Sequence, residues 1–163
     1  MGGSLPGQAS AARSPKFTVR GQGERLNVLG DTQHVLLTGE ETEGRFSLVE
    51  SGPNDPGVGP PLHIHHREDE TFYVLEGKVK FTVEDESVVC ESGSSVFLPR
   101  DSVHTWKVVG DKPARMLITL TPSGLEGYFR QLSELGAEGA PDMKKLLQIS
   151  AEYGIEFPEL SAA

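Results

Sequence analysis

Residues 61–70 carry the sequence PLHIHHREDE, in which alternating histidines are followed by acidic residues. His63 and His65 are two positions apart, so on an extended strand both side chains point to the same face. Glu70 follows after a short polar stretch, which is long enough for a tight turn and re-entry on a neighbouring strand. His104 lies in a later strand-like run. Together these imidazoles and the carboxylate suit a divalent transition metal, namely iron, nickel, manganese, cobalt, copper or zinc.

The neighbouring polar side chains have simpler interpretations. An exposed polar strand is the alternative for His63 and His65, but same-face spacing, a following carboxylate and a distant third histidine rarely coincide. His66 points away from His65, and we expect it beside the ligand set or in solvent. Glu68 and Asp69 are predicted to form a solvated acidic turn, and either could replace Glu70 as a ligand only if that turn is shorter than expected.

The flanking sequence predicts a β fold. Short runs of β-branched and aromatic residues, the first at residues 17–19, recur up to residue 120 and are separated by glycines and polar turns. Strands at this spacing indicate an all-β sandwich or barrel. Residues 51–61 are rich in proline and glycine, which predicts a stiff loop that leads to the histidines.

Two helices are predicted after Pro122. The first has apolar residues at helical spacing, with Ser123 as its N-cap and Gly136 as its end. The second is predicted from Pro141 to Tyr153, with Asp142 near its start. Both are too short to form a domain alone, so we expect them on the outer wall of the barrel or over one mouth.

Composition restricts the functional classes. The chain has 163 residues, which predicts one domain, and a formal charge of −9, which argues against nucleic-acid or anionic-membrane binding. Its single cysteine, Cys90, allows no internal disulfide. Without an apolar membrane span or signal peptide, the expected location is cytoplasmic. The predicted division is a disordered segment (1–15), a barrel (16–122) and a helical cap (123–163).

Two motifs in this chain resemble those of the cupin superfamily. The first spans residues 57–77, with five residues between Gly57 and the histidine pair, four before Glu70 and six before Gly77. The second runs from Gly93 to His104, and fifteen residues separate the two. The resemblance covers roughly residues 30 to 120. Two positions depart from it: Asp101 replaces an expected glycine, and Val108 replaces an expected asparagine.

The resemblance implies a fold and a site. Cupins have an all-β, double-stranded β-helix (jelly-roll) barrel, here with two short C-terminal α-helices. By the same resemblance, His63, His65, Glu70 and His104 are the metal ligands. Three histidines and one carboxylate leave one or two coordination positions open, as in catalytic metal sites.

The walls of an interior pocket can also be predicted. If His104 points inward, alternation brings Trp106 and Val108 to the same face, and Val108 makes that wall apolar. Ordinary core packing is the alternative for each of the candidates. The predicted pocket residues are Phe46, Leu48, Phe72, Val74, Phe81, Trp106, Val108, Met116 and Ile118.

In residues 63–77 and in the tail segment 153–157, the chain resembles the small quercetin 2,3-dioxygenase-like cupins. This implies a dioxygenase that adds dioxygen to an aromatic or enolisable hydroxy-ketone, with Glu70 as the catalytic base. The alternatives are a non-oxidative, metal-dependent cyclase or isomerase of a polyketide-like compound, and a small-molecule-binding module without catalysis. Extra N-terminal strands, which related cupins pair or exchange, predict a homodimer.

Overall fold

The computed structural model describes residues 14–137 and 139–161. The predicted disordered segment therefore lies mostly outside the described residues. The strands are β1 (Glu24–Val28), β2 (Asp31–Leu37), β3 (Ser47–Asn54), β4 (Ile64–His65), β5 (Asp69–Glu76), β6 (Lys78–Val83), β7 (Glu86–Glu91), β8 (Ser95–Leu98), β9 (His104–Val109), β10 (Ala114–Thr121) and β11 (Ile155–Glu156). The helices are α1 (Gly39–Thr42), α2 (Leu125–Gly136), α3 (Met143–Glu152) and α4 (Pro158–Ser161).

The strands form antiparallel sheets. The larger sheet has the order β1-β2-β3-β10-β5-β8, and a second has the order β7-β6-β9. The short strands β4 and β11 pair with each other. Phe72 of β5 and Phe81 of β6 make an edge-to-face contact with ring centroids 5.2 Å apart, so the two main sheets pack against each other.

Alternation along the central strands builds the core. On β10, Met116, Ile118 and Leu120 are buried, while the residues between them are partly exposed. This period of two is what a strand with one face on a core requires. The predicted all-β fold with short C-terminal helices is therefore confirmed.

Several local predictions need correction. Residues 17–19 do not form a strand, and Phe17 is 87% exposed, because no neighbouring strand pairs with this segment. Residues 51–54 were predicted as loop but continue β3, which crosses a cis peptide bond between Gly52 and Pro53.

The helix starts also differ slightly from the predictions. The N-cap of α2 is Gly124 rather than Ser123. α3 starts at Met143, not Pro141, because the Asp142 side chain accepts hydrogen bonds from the backbone of Lys144 and Lys145. The sequence did not predict α1, β11 or α4.

The C-terminal segment is anchored to the barrel by Glu126 of α2. This buried carboxylate accepts hydrogen bonds from the Gly39 backbone at 2.8 Å and from the Ser47 hydroxyl at 2.7 Å. α2 also packs against β1 at the edge of the large sheet. No helix within the described ranges is both long and apolar enough to cross a membrane. The homodimer stays a prediction.

Candidate metal centre and cavity

Three short stretches of backbone bring four ligand-type side chains together. His63 and His104 face each other through an isolated antiparallel bridge, so the start of β9 lies against the segment before β4. His65 is on β4 and Glu70 is on β5. All four residues are buried, and one potential ligand atom from each lies within 4.8 Å of the others. The structure thus brings together the four predicted metal-ligating residues.

Backbone carbonyls fix the orientation of two of the rings. The Nδ1 of His63 lies 2.9 Å from the Pro61 carbonyl oxygen, and the Nδ1 of His104 lies 2.9 Å from that of Ser102. A carbonyl oxygen can only accept, so each Nδ1 carries a proton. In the neutral rings, each Nε2 then presents a lone pair to the cluster, as metal ligation requires.

The contact between His104 and Glu70 tests whether the cluster suits a cation. The Nε2 of His104 lies 2.9 Å from Oε2 of Glu70, yet neither atom has a hydrogen-bond partner among the described residues. With the proton on Nδ1, both facing atoms are acceptors. Buried acceptors at this distance are unfavourable unless a shared cation compensates them, so the donor set fits a metal ion.

The electrostatics of His63 and Glu70 agree with this. Burial, with the neighbouring His65 and His104, lowers the pKa of His63 to about 3. Burial alone would raise the pKa of Glu70, but the surrounding imidazoles outweigh it and lower the pKa to about 2. A neutral imidazole and an ionised carboxylate are the forms that bind metals.

Glu68 corrects one sequence-based interpretation. It was predicted to be solvated but is only 5% exposed, and its Oε2 lies 3.8 Å from Nδ1 of His65. Burial lowers the pKa of His65, but the carboxylates of Glu70 and Glu68 outweigh this effect and raise it. The carboxylate of Glu68 therefore acts on His65 electrostatically, from outside the cluster. In the sequence, the indication of this role was that Glu68 follows the ligand His65 by three residues.

Two further polar residues of this stretch, Asp69 and His66, lie towards solvent. Asp69 pairs with Arg100 through two side-chain contacts of 3.0 Å, and this pairing lowers the pKa of Asp69 to about 2. His66 is exposed and contacts Asp101 at 2.7 Å and Glu156 at 3.0 Å, away from the cluster. Asp101 has φ of +67°, so it adopts the left-handed conformation for which the motif uses glycine.

An apolar cavity of about 270 Å³ opens beside the cluster. His63, His65 and Glu70 lie in its wall. The remainder is mostly apolar and comes from both the barrel and the C-terminal segment. The aromatic ring of Phe157 lies 5.9 Å from that of His63, so the tail after β11 packs directly above the cluster. This covering of one mouth agrees with one of the two predicted placements.

The predicted pocket residues divide into three groups. Trp106 and Ile118 line the cavity. Phe46 and Leu48 do not, because β3 buries the opposite set, which includes Ser47 and Val49. The remaining five are buried in the core outside the cavity lining, which corrects their assignment: Phe72, Val74, Phe81, Val108 and Met116.

Much of the cavity wall was missed by the sequence-based prediction. The apolar side chains of α2 and α3 were recognised only as helix faces, and the N-terminal strands were not assigned to the pocket. Their periodicity indicates burial but not the surface that they cover. The main missed lining residues are Val28, Leu29, Asp31, Gln33, Val58, Tyr128, Phe129, Leu132, Met143, Leu146, Ile155, Phe157 and Leu160.

The chain resembles known proteins along its central part. Residues 55–120 match the family model described as Cupin domain. The chain is 29% identical over 122 residues to quercetin 2,3-dioxygenase of Bacillus subtilis (strain 168), covering 74% of this chain and 35% of that protein. It is 31% identical over 67 residues to polyketide synthase CurC of Streptomyces cyaneus, covering 41% and 44%. The chain thus spans less than half the length of these two relatives.

Solved structures have the same fold at low identity. An RmlC-like cupin from Shewanella frigidimarina NCIMB 400 matches with a TM-score of 0.59 and 22% identity, over 70% of this chain and 96% of the other. The polyketide cyclase RemF from Streptomyces resistomycificus matches with a TM-score of 0.58 and 21% identity, over 68% and 81%. Residues 55–120, which include all four cluster residues, therefore match a cupin domain, and the chain has the cupin fold.

Proposed function

We propose that this protein is a metal-dependent dioxygenase that acts on an aromatic or enolisable hydroxy-ketone of the flavonol type. The observation that carries the proposal is the buried cluster of four ligand atoms within 4.8 Å of one another, three of whose residues lie in the wall of an apolar cavity. An apolar pocket with few polar groups is typical of sites for small organic ligands. Similarity to quercetin 2,3-dioxygenase over 74% of the chain supports this choice of reaction.

His63, His65, Glu70 and His104 would hold the metal. A divalent ion there supplies Lewis acidity that favours the deprotonated form of a hydroxy-ketone. Glu70 is the carboxylate of the cluster and lines the cavity, so it would accept the hydroxyl proton of the substrate. Trp106 and Ile118 pack against the substrate ring, and the Phe157 tail keeps water out of the reacting region.

A second function has specific support. Polyketide synthase CurC and the tetracenomycin polyketide synthase protein TcmJ of Streptomyces glaucescens both resemble this chain, at 31% and 28% identity. A non-oxidative cyclase would use the same cluster to polarise a carbonyl group. It would need neither dioxygen nor a redox-active metal. The apolar cavity suits a polycyclic ketone as well as a flavonol.

Oxygen consumption separates the two reactions. Protein purified without chelators is assayed for metal content, then reloaded with iron, manganese, cobalt, nickel or zinc and mixed with quercetin in an oxygen electrode. We expect oxygen uptake that matches the loss of flavonol absorbance and that is abolished in Glu70→Gln and His104→Ala. Turnover of a polyketide-like ketone with zinc under anaerobic conditions would favour the cyclase. Protein that binds none of these ions would contradict both functions.

A further inference from the structure

Two polar side chains interrupt the apolar wall of the cavity. Asp31 and Gln33 of β2 both line it and are 8% and 3% exposed. Neither belongs to the metal cluster, and both lie outside residues 55–120. Burying a carboxyl and an amide in an apolar wall is unfavourable unless their polar atoms are paired. Their hydrogen bonds therefore show which atoms are paired and which are not.

A network of connected hydrogen bonds fixes the orientation of Asp31. The backbone N–H of Thr32 donates to Oδ1 of Asn54 at 2.9 Å, so the Asn54 amide nitrogen must face the other way. That nitrogen donates to Oδ1 of Asp31 and, at 3.0 Å, to the hydroxyl oxygen of Ser51. The Ser51 hydroxyl then donates its own proton to Oδ1 of Asp31 at 2.7 Å. Burial raises the pKa of Asp31, but both groups that contact its Oδ1 are donors, and this arrangement matches the ionised carboxylate.

Asp31 in turn fixes the amide of Gln33. The Gln33 Nε2 donates to Oδ2 of Asp31 at 2.7 Å, which leaves the Gln33 carbonyl oxygen, Oε1. That oxygen is buried and has no hydrogen-bond partner among the described residues. Reversing the amide would place two acceptors against each other, so the network itself decides which Gln33 atom is free. An unpaired buried acceptor in a cavity wall is a site that a ligand donor can complete.

We propose that Oε1 of Gln33 recognises the ligand by accepting a hydrogen bond from a hydroxyl or N–H group at the end remote from the metal cluster. Asp31 acts as a positioning residue that holds the amide in this orientation. The inference rests on the proposed function, because it assumes that the other end of the same ligand occupies the cluster.

The sheet order determines the shape of such a ligand. β2, which carries Gln33, and β5, which carries Glu70, are separated by β3 and β10. Three strand spacings correspond to about 14 Å along the sheet. A ligand that contacts both ends is therefore elongated, with a flat apolar body and a donor at its far end. A phenol-bearing flavonol or polycyclic hydroxy-ketone has this form.

The test compares probes that differ in a single donor. Metal-loaded protein is titrated with 3-hydroxyflavone, with its 4′-hydroxy and 7-hydroxy derivatives, and with the matching methoxy compounds. We expect at least one hydroxy derivative to bind about 10-fold more tightly than 3-hydroxyflavone, the usual value of one good hydrogen bond. The matching methoxy compound cannot donate, so it should lose this gain.

Two variants test whether Gln33 causes the tighter binding of the hydroxy derivative. Gln33→Met keeps the length of the side chain but removes the acceptor, so the hydroxy derivative should lose its advantage while 3-hydroxyflavone binds as before. The matched control is Gln148→Met, the same change at an exposed glutamine of α3. It should keep the full preference. Should Gln33→Met fail to fold, equal binding of the hydroxy and methoxy probes by the unaltered protein would still overturn the role of Gln33.

The outcomes separate this inference from the proposed function. Equal binding of all probes, no binding of any probe to metal-loaded protein, or a hydroxyl preference that survives in Gln33→Met would overturn the role of Gln33. Metal content and oxygen uptake are measured on the same samples. A hydroxyl preference on metal-loaded protein without oxygen uptake would overturn the dioxygenase and leave the recognition site standing.

Discussion

The metal cluster and the rest of the cavity wall come from different parts of the chain. At the metal end, all four cluster residues lie between positions 63 and 104, inside the stretch that matches the cupin domain. Most of the remaining cavity wall comes from residues 28–33 and 128–160, outside that stretch. The cluster therefore lies in the part of the chain that matches the cupin domain, whereas most of the cavity wall lies in the segments before and after it.

The largest expected effect tests the metal end. Glu70→Gln removes the only carboxylate of the cluster, and we expect metal affinity to fall by more than about 100-fold, above the effect of losing an outer partner of a ligand. Isothermal titration with manganese or zinc measures this. His66→Ala is the control, because His66 is exposed and contacts Asp101 and Glu156 instead. Equal loss of affinity in the two variants would contradict the ligand assignment.

The next effect tests the C-terminal segment that covers the cluster. Phe157→Ala removes a buried ring that covers the cluster, and we expect the free energy of unfolding to fall by about 3 kcal/mol. Ligand binding should weaken while metal affinity stays within about 2-fold of the original, since Phe157 ligates nothing. Denaturant titration and metal titration measure the two quantities. Phe97→Ala, at a residue that is 61% exposed, is the control. Loss of metal in Phe157→Ala would show that metal binding depends on the C-terminal segment that covers the cluster.

Glu68 tests whether a residue outside the four-residue cluster contributes to metal affinity. Glu68→Gln keeps the size of the side chain but removes the charge that lies 3.8 Å from Nδ1 of His65. We expect metal affinity to fall by about 10-fold, because a charged outer partner increases the basicity of a ligand imidazole. The exposed Glu86→Gln serves as its control in the same titration. An unchanged affinity would limit the metal end to the four cluster residues.

The smallest expected effect concerns the attachment of the helices. The carboxylate of Glu126 is desolvated, but hydrogen bonds from the Gly39 backbone and the Ser47 hydroxyl outweigh this and lower its pKa. Its stabilising effect is therefore complete above the unfolded value of 4.5 and is lost as the pH falls through the folded pKa. Glu126→Gln should lower the free energy of unfolding by about 2 kcal/mol at pH 7 and by less at pH 3.

Denaturant unfolding at both pH values measures this difference. Glu134→Gln is the matched control, because Glu134 is exposed on the same helix. A pH-independent difference between Glu126→Gln and the unaltered protein would show that the charge of Glu126 does not anchor α2. Metal affinity should not change in either variant, because neither residue contacts the cluster.

The strand pattern and motif spacing were informative wherever the interaction is local. The period of two predicted the inward set on β5, β6 and β9, and the spacing of His63, His65 and Glu70 predicted their convergence. The same logic failed for Phe46 and Leu48, because apolar residues also occur on the outer face of β3 while Ser47 and Ser51 point inward. Polar residues on the inner face cannot be recognised until their partners are known.

The amino-acid sequence by itself determined the all-β fold, the two C-terminal helices and the four residues of the candidate metal centre, because side-chain alternation and short motif spacings are local properties of the chain. Only the tertiary structure decided the rest. It buried Glu68 beside His65, placed the C-terminal helices over the cavity and brought Asp31 and Gln33 into its wall. These contacts join residues that are distant in sequence or depend on buried partners, so no local pattern encodes them.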